Sequence, residues 1–252
     1  MAPTLDDIKD EALRLIEAAQ KEGIFIRLIG GLAVWLHCPS SVAGPLARKY
    51  KDADFVTNKE GSIRLPDFFE RMGYVPNKTF NTLSGDWRQL YYDPYHDNRQ
   101  IDIFISEFSM CHKIPLEGRL DKDKLTIPLA ELFLTKAQIV ELNQKDLLDM
   151  LAILLDHPVG PSDDDTINSE RIAELCAQDW GLYTTVNMNF ERILENLGKV
   201  GLDQESQRII RNRILTIQDA MEAAPKPTKW KLRAKIGKRV RWYELPEEVQ
   251  RK

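Results

Sequence analysis

The spacing of apolar positions changes along the chain, and the change divides it. Leu5, Ile8, Ala12, Leu15, Ile16 and Ala19 recur at helical spacing, marking an amphipathic helix with Thr4 as its cap and Gly23 as its stop. Residues 25–29 form a short apolar run that reads as a buried strand, leads into Gly30 and Gly31, and continues into helix-compatible residues 32–36. Residues 52–56 and 101–105 alternate at the strand period of two. Between them, residues 63–72 read as a helix ended by Gly73. Residues 88–92, a turn-rich 93–98 and the strand at 101 form an antiparallel hairpin. From Leu129 onward strand patterns give way to helical ones at 129–142, 145–156, 168–179, 185–197 and 203–223. The fold class expected is α+β: a mixed β-sheet flanked by helices over residues 1–127, a helical domain over 128–224 and a basic tail over 225–252. Trp35 and Trp180 fit core positions.

Candidate chemistry lies in the sheet-forming half. In residues 52–56 a period of two projects Asp52 and Asp54 from one face, and Ala53 and Phe55 from the other. Ile101, Ile103 and Ile105 share an apolar face, leaving Asp102 on the opposite one, and a core strand rarely tolerates an unpaired carboxylate. Two glycines at a strand-to-helix junction let a ligand approach the backbone closely, beside helix amides suited to a phosphate. Three carboxylates converging from neighbouring strands repel one another unless a cation sits between them. An all-oxygen ligand set favours Mg²⁺ or Mn²⁺ over zinc. The chemistry indicated is metal-assisted phosphoryl transfer. Singly, each segment has a plainer explanation, since Asp-x-Asp also occurs in turns and on solvated strands and a diglycine turn also serves packing. It is the agreement of order, strand context and face that carries the reading.

Gly30 and Gly31, the Asp52-Ala53-Asp54 strand and the later Asp102 together resemble the DNA polymerase β-type nucleotidyltransferase superfamily. The resemblance implies that Gly30 and Gly31 hold nucleotide phosphates and that Asp52 and Asp54 ligate metal. It implies that Asp102 ligates one metal and activates an acceptor hydroxyl. The twenty residues at positions 32–51 exceed the gap of minimal members. They are expected to include a loop, with Arg48, Lys49 and Lys51 either neutralising triphosphate or, as expected of flexible side chains on a loop, solvated. Downstream, Lys136 and the segment Lys145, Asp146 and Asp149 resemble helical segments of the abortive-infection type nucleotidyltransferase toxins, which implies that Lys136 contacts phosphates. On helix geometry alone, Lys145 and Asp149 pair at i,i+4. The activity implied is transfer of a nucleoside monophosphate from an NTP such as ATP to RNA (a tRNA 3′ end), a protein or a small molecule, with release of pyrophosphate. An antitoxin partner goes with the toxin side of the resemblance. A catalytically silent nucleotide- or RNA-binding module is the alternative.

Composition narrows the setting. The 252 residues are 43% hydrophobic and 29% charged with a net charge of −4, which suits a globular chain with no global attraction to nucleic acid. Three dispersed cysteines, Cys38, Cys111 and Cys176, suggest neither a disulfide framework nor a zinc cluster, so a reducing, cytoplasmic setting is expected. No basic-then-apolar leader and no membrane-length apolar stretch occur, so no membrane role is expected. Residues 226–241 carry eight Lys or Arg and no acid, with Trp230 and Trp242 nearby. That composition suits a grip on a phosphate backbone with base stacking. It equally suits a tail whose tryptophans anchor it to the helical domain while its basic residues cover the acidic body.

Overall fold

The computed structural model describes residues 4–245, which fold as two compact units. One comprises the described chain up to Leu36 with Lys49–Phe108 and Pro115–Pro128; the other comprises His37–Arg48, Ser109–Ile114 and the described chain from Leu129 on.

The first unit is built on a five-stranded mixed sheet ordered β1-β2-β5-β4-β3, with β1 Ile26–Ile29, β2 Ala53–Thr57, β3 Val75–Pro76, β4 Arg88–Asp93 and β5 Arg99–Ile105. β2 and β5 run parallel and the other neighbours are antiparallel. The expected hairpin is β4–β5, its loop closing through Asp97 and Asn98 at φ 52° and 49°. Asn and Asp tolerate this left-handed region. Leu28, Phe55, Tyr91, Ile101 and Ile103 are fully buried. Helix α1 (Ile8–Lys21) packs against β1 and β2, and Phe69 of α3 (Lys59–Arg71) stacks on Tyr91 at 4.4 Å. Burying each such side chain contributes about 1.5–3 kcal/mol.

Two helix starts differ from expectation. α1 is capped by Asp7, which accepts from the amides of Lys9 and Asp10, because the Thr4 hydroxyl donates instead to Asp93 at 3.0 Å. α3 begins at Lys59 under an Asn58 cap and carries Pro66 in its interior. Proline cannot donate to the carbonyl four residues back, here that of Ser62. The Gln89 side chain of β4 fills that role, donating Nε2 to the Ser62 carbonyl at 3.2 Å while its Oε1 accepts from Tyr91 at 2.6 Å. A helix α2 (Gly30–His37) follows β1, and α4 (Lys78–Ser84) lies between β3 and β4.

The second unit is helical: α5 Leu129–Ala137, α6 Gln144–Asp156, α7 Ser169–Gln178, α8 Trp180–Asn196, α9 Gln204–Ala223 and α10 Thr228–Ile236. α5 stops earlier than its apolar pattern suggested. The buried Asn189 amide donates to the carbonyls of Ala137 and Ile139, both at 2.8 Å, closing the helix end from α8. α8 starts earlier than expected, under an Asp179 cap. Trp35 and Trp180 are half-buried rather than core, each lying under a cation: Lys9 at 4.5 Å and Arg233 at 4.6 Å from the ring centres. No helix among the described residues is long and apolar enough to cross a membrane. The three cysteines are free and buried.

Candidate active site

The register of the sheet sets two of the predicted residues, Asp54 and Asp102, side by side. Ile29 stands opposite Asp54 across the β1–β2 ladder, and Asp54 stands opposite Asp102 across the parallel β2–β5 ladder. Opposed residues project from the same face, with strands about 4.8 Å apart, so Asp54 and Asp102 stand side by side. That face is the reverse of the one carrying Phe55, Ile101 and Ile103 into the core. Asp52 lies one residue before β2, half-buried, and near enough that its charge pushes the Asp102 pKa upward.

Gly30 follows Ile29 at φ +66°, in the left-handed region that favours glycine. A Cβ built there would lie 2.5 Å from Asp54 Oδ2, closer than real contacts allow. The missing side chain is therefore the room in which the Asp54 carboxylate sits. Gly31 is the second residue of α2, directly after this turn.

Asp102 has a partner that sequence reasoning missed. Arg88, on the same face of β4, donates Nε to Asp102 Oδ1 at 2.9 Å and Nη2 to Oδ2 at 2.5 Å. Its guanidinium stacks on Phe104 at 4.9 Å and lies 5.7 Å from the Phe80 ring centre. Both charged side chains are nearly buried, at 7% and 8% exposure. Burial is the largest influence on Asp102 and raises its pKa; the Arg88 hydrogen bond and charge oppose it, and Asp52 adds to it. A signal for Arg88 was available: an arginine at the start of an apolar strand, two residues from the position that hairpin pairing sets opposite Asp102.

In the second unit Lys136 and the acids of α6 form a network of their own. The Lys136 ammonium lies 2.9 Å from Asp146 and 3.0 Å from Asp149, and Arg48 donates to both Asp149 oxygens at 2.6 and 2.8 Å. Burial pulls the Lys136 pKa down, but Asp149 and Asp146 outweigh it and raise it. Arg48 is thus paired rather than solvated, and Asp149 is held by Arg48 and Lys136 rather than by Lys145. An i,i+4 spacing places two side chains within reach, but a buried carboxylate takes the partners that are buried with it.

Asp54 and Asp102 offer oxygen donors from one face, with Asp52 just before β2, and an all-oxygen donor set is the kind a hard divalent ion takes. Among the described residues no group of three or more His, Cys, Asp or Glu side chains is arranged as a ready-made metal cluster. Asp54 and Asp102 are register partners, and Asp102 is already hydrogen-bonded to Arg88.

No family model matches the chain, and no curated protein matches it. Among solved structures it is similar to that of an antigenic nucleotidyltransferase-like protein from Paracoccidioides brasiliensis, at 12% identity and a TM-score of 0.39, over 73% of this chain and 94% of that one. At that identity and score the likeness bears on neither activity nor substrate.

Proposed function

We propose that the first unit is the catalytic centre of a nucleotidyltransferase that moves a nucleoside monophosphate from an NTP to an acceptor hydroxyl. The observation that carries this reading is the side-by-side placement of Asp54 and Asp102 on one sheet face, with Asp54 lodged in the space left by Gly30. Asp52, Asp54 and Asp102 are the residues that would hold Mg²⁺ or Mn²⁺, which would supply neutralising charge for the triphosphate and its leaving group. Gly30 would make room for the Asp54 carboxylate, and Gly31, half-buried at the start of α2, would be the glycine that phosphate oxygens approach. In this reading Asp102 would receive the proton of the acceptor hydroxyl. The acceptor oxygen then bonds to the α-phosphorus, the bond from that phosphorus to the bridging oxygen breaks, and pyrophosphate leaves. Arg88 acts through Asp102, as a positioning residue. Acceptors consistent with this chemistry are RNA, including tRNA, a protein side chain or a small molecule, and a toxin role with an antitoxin partner belongs to the same proposal.

The Arg88–Asp102 pair favours one second reading: a nucleotide- or RNA-binding module in which the third acid has been committed to structure. Incubation with each labelled NTP, Mg²⁺ and total RNA or cell lysate separates the two. Label in a macromolecule, lost on Asp54→Ala, supports transfer. Nucleotide or RNA binding with no label in any acceptor supports the silent module.

A further inference from the structure

The basic segment at the end of the described chain presents two different faces. Its tryptophans are turned inward. Trp230 Nε1 donates to the Cys176 carbonyl at 3.0 Å and its ring packs edge-on to Tyr183, while Trp242 Nε1 donates to Thr185 Oγ1 at 3.0 Å. Two of the eight cations hydrogen-bond internally, Lys226 to the carbonyls of Met221 and Glu222 and Arg233 to those of Gly237 and Val240 while lying over Trp180, and Lys238 lies 5.7 Å from the Trp242 ring centre. The other six, Lys229, Lys231, Lys235, Lys238, Arg239 and Arg241, are exposed. Among the described residues, none of the six is in ion-pair contact with a carboxylate, so they do not cover the acidic body.

Between these cations stand aliphatic side chains open to water: Leu232 at 56% exposure, Ile236 at 47% and Val240 at 58%. Leu232 and Ile236 are four apart on α10, so they share its outer face, with Lys229, Lys231 and Lys235 flanking them. A phosphate backbone alone gives such side chains nothing to bury against, and the aromatic rings that would stack on bases are already engaged. A layer of anionic headgroups over hydrocarbon satisfies both sets, the aliphatics entering the acyl boundary while the lysines reach back to the phosphates. With a net charge of −4 overall, the rest of the chain is acidic, so a negatively charged surface attracts this segment and repels the remainder.

Against the expectation of no membrane role, which rested on spanning segments and a leader, we propose that the outer face of α10 and residues 238–241 form a peripheral docking surface for an anionic lipid membrane. The test is co-sedimentation of the full chain with vesicles of phosphatidylcholine alone or mixed with phosphatidylglycerol, beside a filter-binding assay on polyuridylate RNA. Expected is binding to the anionic vesicles only, weakened by salt and abolished by the double change Lys231→Glu with Lys235→Glu. Leu232→Gln with Ile236→Gln is expected to weaken it about tenfold. All four positions are exposed, and unchanged thermal melting of each variant confirms an intact fold. Equal binding to both vesicle types, no vesicle binding whether or not RNA is bound, or vesicle binding indifferent to Leu232 and Ile236 would each overturn the proposal.

Discussion

Asp102 shows how a single side chain ties the fold to the proposed chemistry. Its carboxylate is buried against Arg88, and a buried pair broken from one side leaves an uncompensated charge. Arg88→Met is therefore expected to destabilise the chain by about 3–5 kcal/mol in urea unfolding, with Asp102→Leu in the same background recovering much of the loss. Gly30→Ala is expected to cost about 1–3 kcal/mol from its left-handed φ. Because the new methyl meets Asp54 Oδ2, that variant is also expected to lose activity beyond what its stability explains. His96 offers a pH-dependent check of the same unit. Its ring lies 2.7 Å from Asp6 and 2.9 Å from Asp93, and these contacts, Asp6 first, raise its pKa. The folded state thus favours the protonated ring. The stabilisation is fully present below the ordinary histidine value of about 6.5 and is lost as pH rises through the higher folded value. Urea midpoints measured from about pH 6 to about pH 9 are expected to fall with pH, and His96→Gln is expected to remove that part of the slope.

At the scale of elements, much of the architecture was legible because periodicity states which face is buried. Strands at residues 52–56 and 101–105, the hairpin and five later helices were all readable from their spacing, and the face assigned to Asp54 and Asp102 follows from a period of two. What was not legible depends on partners distant in sequence. The end of α5 is set by Asn189 on another helix, and Arg48 and Lys136 meet Asp149 only through tertiary packing. Pro66 reads as a helix breaker until Gln89 supplies the missing donor. Gln89→Leu is accordingly expected to cost about 1–3 kcal/mol, since it strands both the Ser62 carbonyl and the Tyr91 hydroxyl. Gly181 of α8 is a comparable contact in the second unit, where an added Cβ would lie 2.5 Å from the Trp242 carbonyl oxygen. Gly181→Ala is expected to displace the backbone around Trp242, read as faster amide exchange there with the helices before it unaffected.

For the molecule as a whole, a sheet that packs one face against α1 and α3 carries Asp54 and Asp102 on the other. The acids do not have that face to themselves: Ile29, Val56, Leu90 and Phe104 are buried on it beside them. Composition alone pointed away from nucleic acid as a general partner, yet charge is distributed unevenly, with unpaired cations gathered near the end of the described chain. The central claim, that Asp54 and Asp102 act together on a nucleotide, is tested most directly by following label from α-labelled NTP into RNA or protein with Mg²⁺ present. The expected result is transfer by the unmodified chain and loss of it in Asp54→Ala, whose melting temperature stays unchanged; transfer at the same rate in Asp54→Ala would contradict the account.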